Sequence, residues 1–343
     1  MKARTYIIVT LCMIGISNLL PAQDIHFSQF GSTPSLVNPA LTGDFLGNQR
    51  GGIAYRDQWR SISKPFTTAH AFYDCSINEA QWKDQYVGLG LDLFSDRAGD
   101  GKMGTTSFSL NSSYAKALSL SSIYSFGVQL SFVQRSVDFT QFTWDSQFNG
   151  LEYDPALSSQ EPMYNENFIK PDLSAGMSWN CNIDKYSASR VGFAMFHINS
   201  PNLKYYNTGN ERVAPRYVLH AEARIEQRSA IFAFLPKILY QRQNTLNELL
   251  FGGMMEWEIR EGSRITGWIT ESSVAFGLYH RWGDAIVLTS QLYLENFDIG
   301  LSYDFNVSNL TRVSKARGGF EISILYTSPF VSRWRKGASR SSY

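Results

Sequence analysis

The chain has 343 residues and a formal net charge of +1, so its overall charge gives no reason to expect binding to nucleic acid. Aromatic residues make up 14% of the sequence and charged residues only 18%, which is typical of a protein whose surface meets lipid. No internal segment has the long apolar run of a membrane-spanning helix, so a closed β-barrel is the remaining way to satisfy a backbone within a membrane.

The start of the chain has the order of regions found in an export signal. Two basic residues come first, an apolar stretch covers 6–16, and a small residue, Ala22, stands at the expected cleavage position. We therefore predict a signal peptide over 1–22 and a mature chain that begins at Gln23. A buried N-terminal helix is the alternative interpretation.

Residues 23–49 precede the first predicted strand. Their prolines and glycines indicate an irregular segment, whereas their apolar side chains need burial. The barrel that follows has about fourteen predicted strands, and wall side chains already fill an eight-stranded barrel, so a wider one has room inside. We predict that this segment enters the lumen from the periplasm and plugs it, with Phe27, Phe30, Asn38 and Pro39 in the plug. The alternative is a periplasmic cap packed under the rim.

Alternation with a period of two dominates residues 50–327. In 297–306 every second residue from Phe297 to Phe305 is apolar, whereas Asp298 and its alternates are polar or small. This pattern predicts β-strands. A soluble sandwich also alternates, so the prediction of a membrane barrel depends on strands of about ten residues, which match a tilted membrane crossing, and on tight turns that alternate with long connections.

Fourteen strands are predicted, an even number that returns the C-terminus to the side of the N-terminus. The predicted spans are 50–58, 66–75, 86–95, 104–117, 122–135, 171–182, 189–198, 215–226, 230–242, 246–259, 273–281, 284–293, 296–306 and 318–327. With both termini in the periplasm, the long connections 136–170, 199–214 and 307–317 lie outside the cell. The stretch 260–272 is either a long periplasmic connection or an unrecognised strand. A basic tail, 328–343, follows the last strand.

Tyr and Trp residues near the predicted strand ends are expected to form the aromatic girdles at the two membrane interfaces. The candidates are Trp179, Tyr279, Trp282, Tyr293 and Tyr303. These side chains are expected to point towards lipid.

Two cysteines remain in the mature chain, Cys75 and Cys181. They lie near the periplasmic ends of predicted strands that are four places apart, or about 19 Å along the wall. A disulfide needs Cα atoms within about 7 Å, so we expect two free thiols.

The sequence has no convincing motif for chemistry. The stretch 61–64 matches an S-x-x-K pattern, but the companion motifs of that pattern are absent. The five histidines are scattered, without the spacing of metal ligands. We therefore expect no catalytic, cofactor-binding or metal site, and we expect that the protein is not an enzyme and carries no cofactor.

The longest connection, 136–170, contains seven aromatic residues, more than an unstructured loop would carry. We expect it to fold over the outer mouth or to form part of a partner surface, since exposed apolar patches mark interaction sites. The candidate residues for this surface are Phe139, Phe142, Trp144 and Tyr153.

Short motifs follow one another over nearly the whole mature chain. They are 23–30 (QDIHFSQF), 38–43 (NPALTG), 55–59 (YRDQW), 65–68 (PFTT), 96–101 (DRAGDG), 134–139 (QRSVDF), 171–176 (PDLSAG), 215–217 (PRY) with 219–220 (LH), 299–305 (IGLSYDF) and 318–323 (GGFEIS). Each alone is weak, but in this order the chain resembles the PorP/SprF family, outer-membrane proteins of the type IX secretion system in Bacteroidota. The basic tail departs from the family pattern.

The resemblance implies an all-β, transmembrane antiparallel barrel in the cell outer membrane. It also implies support for the secretion and cell-surface anchoring of secreted proteins, including the adhesins of gliding motility. The implied partners are a secreted surface protein or adhesin, periplasmic type IX secretion components and outer-membrane lipid, with no nucleic acid. The alternative function is an outer-membrane transporter of hydrophobic small molecules, similar to the fatty-acid channels.

Overall fold

The structure is a computed structural model that describes most of the mature chain. The described residues are 24, 26–60, 65–77, 84–99, 103–119, 121–137, 142–160, 167–184, 186–202, 212–226, 231–260, 272–308 and 311–328. The predicted signal peptide 1–22 with its cleavage site at Ala22 and Gln23, the tail after Ser328 and nearly all of 260–272 lie outside the described residues. In the part of the chain that is described, no helix is long and apolar enough to cross a membrane.

Fourteen strands form in the described part of the chain, and each pairs with its neighbours in antiparallel fashion. They are β1 (Gln49–Gln58), β2 (Phe66–Ile77), β3 (Gln85–Ala98), β4 (Met103–Ser119), β5 (Ser122–Ser136), β6 (Asn167–Asn182), β7 (Ala188–Phe196), β8 (Arg216–Glu226), β9 (Phe232–Gln243), β10 (Leu246–Arg260), β11 (Ser272–Arg281), β12 (Ala285–Leu294), β13 (Phe297–Asn306) and β14 (Arg317–Ser328). Because β1 also pairs with β14, the sheet closes into a barrel. The predicted all-β barrel of about fourteen strands is confirmed.

The largest difference from the predicted spans is at the start of β6. The prediction placed it at Pro171, where the alternation of apolar and polar residues begins. In the structure β6 begins at Asn167 and pairs with β5 as far as Ser136. The main-chain oxygen of Pro171 accepts a hydrogen bond from the Asn199 side chain, 2.8 Å away. The side chain of Asn199, in the loop after β7, therefore satisfies the main-chain oxygen at this position.

The two faces of the wall have the reverse of the polarity of a soluble protein. On β13, Leu301 is 41% exposed on the outer face, whereas Ser302 beside it is buried. On β3, Leu91 and Leu93 are exposed, and Asp92 between them is buried. A sheet with apolar side chains outside and polar ones inside is stable only when its outer face meets lipid.

Leu301→Arg is expected to impair barrel assembly, because it places a charge on the lipid-facing surface. The cost near the middle of the membrane is about 2–4 kcal/mol. Heat-modifiability gels measure the folded fraction of the inserted barrel. Leu301→Met, which keeps the position apolar, is the matched control and should fold like the wild type; equal folding of the Arg and Met variants would contradict the assignment of faces.

The aromatic girdles are only partly as predicted. Trp179 stacks on Tyr124 at one end of the barrel, with ring centroids 5.8 Å apart, and Trp282 is 70% exposed at the other end. Tyr279, however, is 5% exposed and faces the interior, and Tyr293 packs against the same buried cluster. The prediction was wrong for these two residues because a place near a strand end does not determine which face a side chain occupies.

Cys75 lies on β2 and Cys181 on β6, and both are free thiols. The expectation of two free thiols is confirmed. Neither residue therefore constrains the closure of the barrel.

Candidate functional site

The N-terminal segment (26–48, with Asp24) crosses the barrel interior from one mouth to the other. At its start, the main-chain N of Asp24 donates to the Gln243 side chain, 2.9 Å away, where β9 ends. At its end, the main-chain N of Asn48 donates to the oxygen of Ser328, 3.3 Å away, where β14 ends. Odd and even strands run in opposite directions, so these contacts lie at opposite mouths. The prediction that both ends of the mature chain lie on the same side of the membrane was therefore wrong, because the segment runs back through the interior before β1 begins.

Buried charges form a cluster on the inner wall at the mouth nearer Asp24. Arg56 on β1 is 0% exposed, and its guanidinium lies 3.1 Å from Asp304 on β13 and 3.0 Å from Glu321 on β14. Arg281 on β11 lies 3.0 Å from the same Asp304 carboxylate. Charges this deeply buried persist only when they are paired, so the cluster connects the strands on both sides of the β1–β14 closure.

The N-terminal segment is hydrogen-bonded directly to this cluster. The Glu321 carboxylate accepts from the main-chain N of Ser28 at 2.7 Å and of Gln29 at 2.9 Å. The Ser28 hydroxyl donates to Asp304 at 2.9 Å, and Arg56 donates to the main-chain oxygen of His26. Main-chain groups of the segment and buried charged groups of the wall therefore satisfy one another's hydrogen bonds.

The two aromatic residues of the predicted plug are buried against the wall. Phe27 is 4% exposed, and its ring lies 6.4 Å from that of His70. Phe30 is 6% exposed and belongs to an apolar cluster with Leu235 on β9 and Leu250 on β10. A cavity bordered by Phe27 and Phe30 has a volume of about 20 Å³, enough for about one water molecule.

Asn38 lies inside the barrel, against the inner wall at β6 and β8, and is 0% exposed. Its amide nitrogen donates to the main-chain oxygen of Met177, 2.9 Å away, and lies 3.1 Å from Nε2 of His220. Its side-chain oxygen accepts from the main-chain N of Ala40 at 2.9 Å and so caps the short helical turn that begins at Pro39. The Asn-Pro pair thus fixes both the local turn and its attachment to the wall.

Two glycines allow the wall to approach this turn closely. Gly127 on β5 and Gly176 on β6 are direct partners across the two strands. A Cβ atom at Gly127 would lie 2.3 Å from the main-chain N of Ala40, and one at Gly176 would lie 2.0 Å from the side-chain oxygen of Asn38. Both distances are too short for a real contact, so only glycine fits here. The sequence analysis missed these residues, although glycines on the inner face were the available signal.

A second set of ion pairs holds the segment near the other mouth. Asp44 lies 3.2 Å from Arg190 on β7 and accepts from Asn180 on β6 at 2.7 Å. Asp74 on β2 pairs with Arg50 on β1 at 2.7 Å and also accepts from the main-chain N of Gly43. The segment is therefore attached to the wall near its beginning, middle and end.

His197, just after β7, connects the start of the segment to the wall. Its Nε2 lies 2.5 Å from Asp24 and its Nδ1 lies 2.7 Å from Asp172. Burial disfavours the charged imidazole, but the two carboxylates outweigh that cost and raise the pKa of His197 to about 9. Burial also opposes the charge on Asp24, yet His197 and Arg216 hold the pKa of that carboxyl well below its usual range.

We predict that alkaline pH loosens the start of the N-terminal segment. The pKa of His197 is raised on folding, so its contribution to stability is complete below its usual pKa near 6.5 and is lost as the pH rises through about 9. Proteinase K access to residues 26–30 should therefore increase between about pH 6 and about pH 10. His197→Gln is the control and should show pH-independent access; pH-independent access in the wild type would contradict the prediction.

The predicted partner surface lies in a separate region, on the connection between β5 and β6. Phe139 is outside the described residues. Phe142 and Trp144 are half-buried and pack edge to face, with ring centroids 5.9 Å apart, whereas Tyr153 is 44% exposed. Its role as a binding surface stays a prediction.

The described residues contain no group of three or more His, Cys, Asp or Glu side chains placed to hold a metal ion. The S-x-x-K stretch at 61–64 lies outside the described residues. The candidate functional features that the structure describes are therefore the barrel interior, where the N-terminal segment lies, and the surface of the connections.

Among solved structures, the chain is similar to the CymD monoaromatic hydrocarbon channel, with 11% identity over 89% of this chain and 94% of that one and a TM-score of 0.48. It is also similar to a FadL homologue of Pseudomonas aeruginosa, with 10% identity over 90% of this chain and 95% of that one and a TM-score of 0.45. Similarities this low carry no argument about function. A comparison with curated proteins found no significant match.

One family gives a match over most of the chain. The profile described as type IX secretion system membrane protein PorP/SprF matches residues 20–326. This match agrees with the closed barrel and with the order of the short motifs. The chain therefore belongs to the PorP/SprF family of type IX secretion system membrane proteins, and it is an outer-membrane β-barrel.

Proposed function

We propose that this barrel supports the secretion and cell-surface anchoring of secreted proteins, including gliding adhesins, and that it does so as a plugged barrel. Its partners would be a secreted surface protein at the outer mouth and type IX secretion components in the periplasm. The observation that carries the proposal is the N-terminal segment, which crosses the interior and is bonded to the wall at both ends. No catalytic step or cofactor belongs to this proposal.

The contacts of the segment favour a barrel that holds a partner protein over a barrel that conducts small molecules. Its attachment near one mouth uses Glu321 and Asp304, its central attachment uses Asn38, and its attachment near the other mouth uses Asp44. These side chains are buried, so each bond lies in a medium of low polarity, where breaking it is costly. A rigid barrel with a filled lumen provides a fixed surface at each mouth for partners to bind.

The alternative is transport of hydrophobic small molecules. A transport path through the lumen would require the turn at 38–40 to leave the wall at Gly127 and Gly176, where the packing is closest. It would also require the buried ion pairs near one mouth to break. Neither requirement applies to an anchoring barrel.

Deletion of the gene in the native organism tests the two functions against each other. Under the proposal, type IX clients disappear from the cell surface and accumulate inside the cell or in the medium, as measured by quantitative proteomics of each fraction. Complementation with the wild-type gene restores them. An unchanged surface proteome together with reduced uptake of a fatty acid or aromatic hydrocarbon would support transport and overturn the proposal.

A further inference from the structure

The connection between β5 and β6 contains a compact fold of its own. The side chain of Gln147 accepts from the main-chain N of Trp144 at 3.2 Å and donates to the oxygen of Leu157 at 3.1 Å. The main-chain oxygen of Gln147 accepts from Asp154 at 2.8 Å, and Phe148 forms a β-bridge with Tyr153. These hydrogen bonds hold the backbone from Trp144 to Leu157 in one conformation.

This ordered connection presents apolar side chains to solvent. Leu151, at the tip of the turn, is 92% exposed, and Phe148 is 57% exposed. Tyr153 and Leu157 are also exposed. Four exposed apolar side chains on one short, hydrogen-bonded loop are unusual for a surface that meets only water, and contiguous patches of this kind mark interaction sites.

The same connection carries charge of a single sign. Between Arg135 and Lys170 the sequence has six acidic residues and no basic one. Of the acidic residues that the structure describes there, Asp145 and Glu152 are exposed, and each lies within a few residues of Phe148 and Leu151. An acidic surface attracts a cationic partner and repels anionic lipid headgroups and nucleic acid.

We propose that the loop surface, formed by Phe148, Leu151, Tyr153 and Leu157 with Asp145 and Glu152, docks a cationic, amphipathic polypeptide segment of a partner protein. This inference rests on the proposed function, because it specifies the chemistry of the partner that the barrel would hold. The apolar side chains of the segment cover the exposed apolar residues of the loop surface, and its basic side chains pair with the carboxylates. The chain's own basic tail is not the occupant, since β14 ends at Ser328, at the opposite mouth.

Two synthetic peptides of about 20 residues test the proposal. They share the same Leu and Phe positions, and their polar positions are Lys in one and Glu in the other. Binding is measured by fluorescence anisotropy to the purified mature protein in nanodiscs of neutral lipid, with empty nanodiscs as the background. The Lys peptide should bind at least about tenfold more tightly than the Glu peptide, and added salt should weaken its binding.

Variants locate the binding on the loop surface. Leu151→Ser should weaken binding of the Lys peptide about tenfold, because it removes the largest exposed apolar contact. The double variant Asp145→Asn and Glu152→Gln should remove most of the salt dependence. The matched controls are Ile183→Ser, at an exposed apolar residue in a turn at the opposite mouth, and Glu295→Gln, at an exposed acidic residue there. Both controls should bind like the wild type.

Each remaining outcome overturns the inference. Equal binding of the two peptides would show that charge does not select the partner, and no binding of either would show that the surface does not take such segments. Variants at the loop surface that bind like the controls would place the site elsewhere. Concentration-dependent self-association lost in Leu151→Ser would identify a second copy as the occupant. In all these cases, loss of surface clients on gene deletion would still support the proposed function.

Discussion

Arg56→Ala is expected to lower the free energy of unfolding of the barrel by about 3–5 kcal/mol. The substitution removes a wholly buried cation, so the buried Glu321 carboxylate loses its ion pair with Arg56, and Asp304 keeps only its ion pair with Arg281. It also removes the hydrogen bond to the main-chain oxygen of His26, so the N-terminal segment loses part of its attachment. Urea titration of the folded fraction in detergent or lipid, followed by gel mobility, measures the change.

Arg60→Ala is the matched control for this prediction. Arg60 also pairs with a carboxylate, that of Asp57, but its side chain is 72% exposed. Water solvates the exposed Arg60 guanidinium whether or not it is paired, so the ion pair contributes little and this variant should unfold nearly like the wild type. Equal stability of the Arg56 and Arg60 variants would show that the buried cluster does not stabilise the barrel.

The double substitution Gly127→Val and Gly176→Val is expected to expel the turn at 38–40 from the wall. The new side chains occupy space that the main chain of Ala40 and the side chain of Asn38 now fill. The outer surface of the barrel is unchanged, so insertion should persist, and the overpacking should cost about 1–3 kcal/mol of stability. Proteinase K should then cleave within residues 26–48, with the new termini identified by mass spectrometry.

Gly51→Ala controls for the loss of a glycine from a strand. A Cβ atom at Gly51 would have its nearest neighbour 3.5 Å away, which is an ordinary contact. In this variant the N-terminal segment should resist proteinase K as well as it does in the wild type. Continued protection of the segment in the double valine variant would mean that it does not depend on the close approach at Gly127 and Gly176.

The faces of the strands were predictable because alternation is local. The order of apolar and polar residues along each strand was enough to predict the barrel, the number of strands and most strand bounds. The prediction was wrong for Tyr279 and Tyr293, because they were assigned to the outer face from their place near a strand end and not from the alternation of inward and outward residues. Counting alternate residues from Leu278, which is exposed, assigns Tyr279 to the interior.

The partners inside the barrel were not predictable from the sequence. Arg56 pairs with Asp304 and Glu321, which are more than two hundred residues away along the chain. Alternation shows that all three face inwards, but their meeting depends on the register across the β1–β14 closure. The burial of Phe27 and Phe30 was expected from their apolar character, whereas the path of the segment from one mouth to the other depends on contacts with many strands.

The most direct test of the plugged barrel is the current through single molecules in a planar lipid bilayer. The intact mature protein should show no steady open current if, as proposed, the N-terminal segment plugs the lumen. A variant that lacks residues 24–42 should insert equally well and show large, stable currents, since a barrel of this width without a segment inside contains a water-filled path. Large steady currents from the intact protein, equal to those of the deletion variant, would contradict the account.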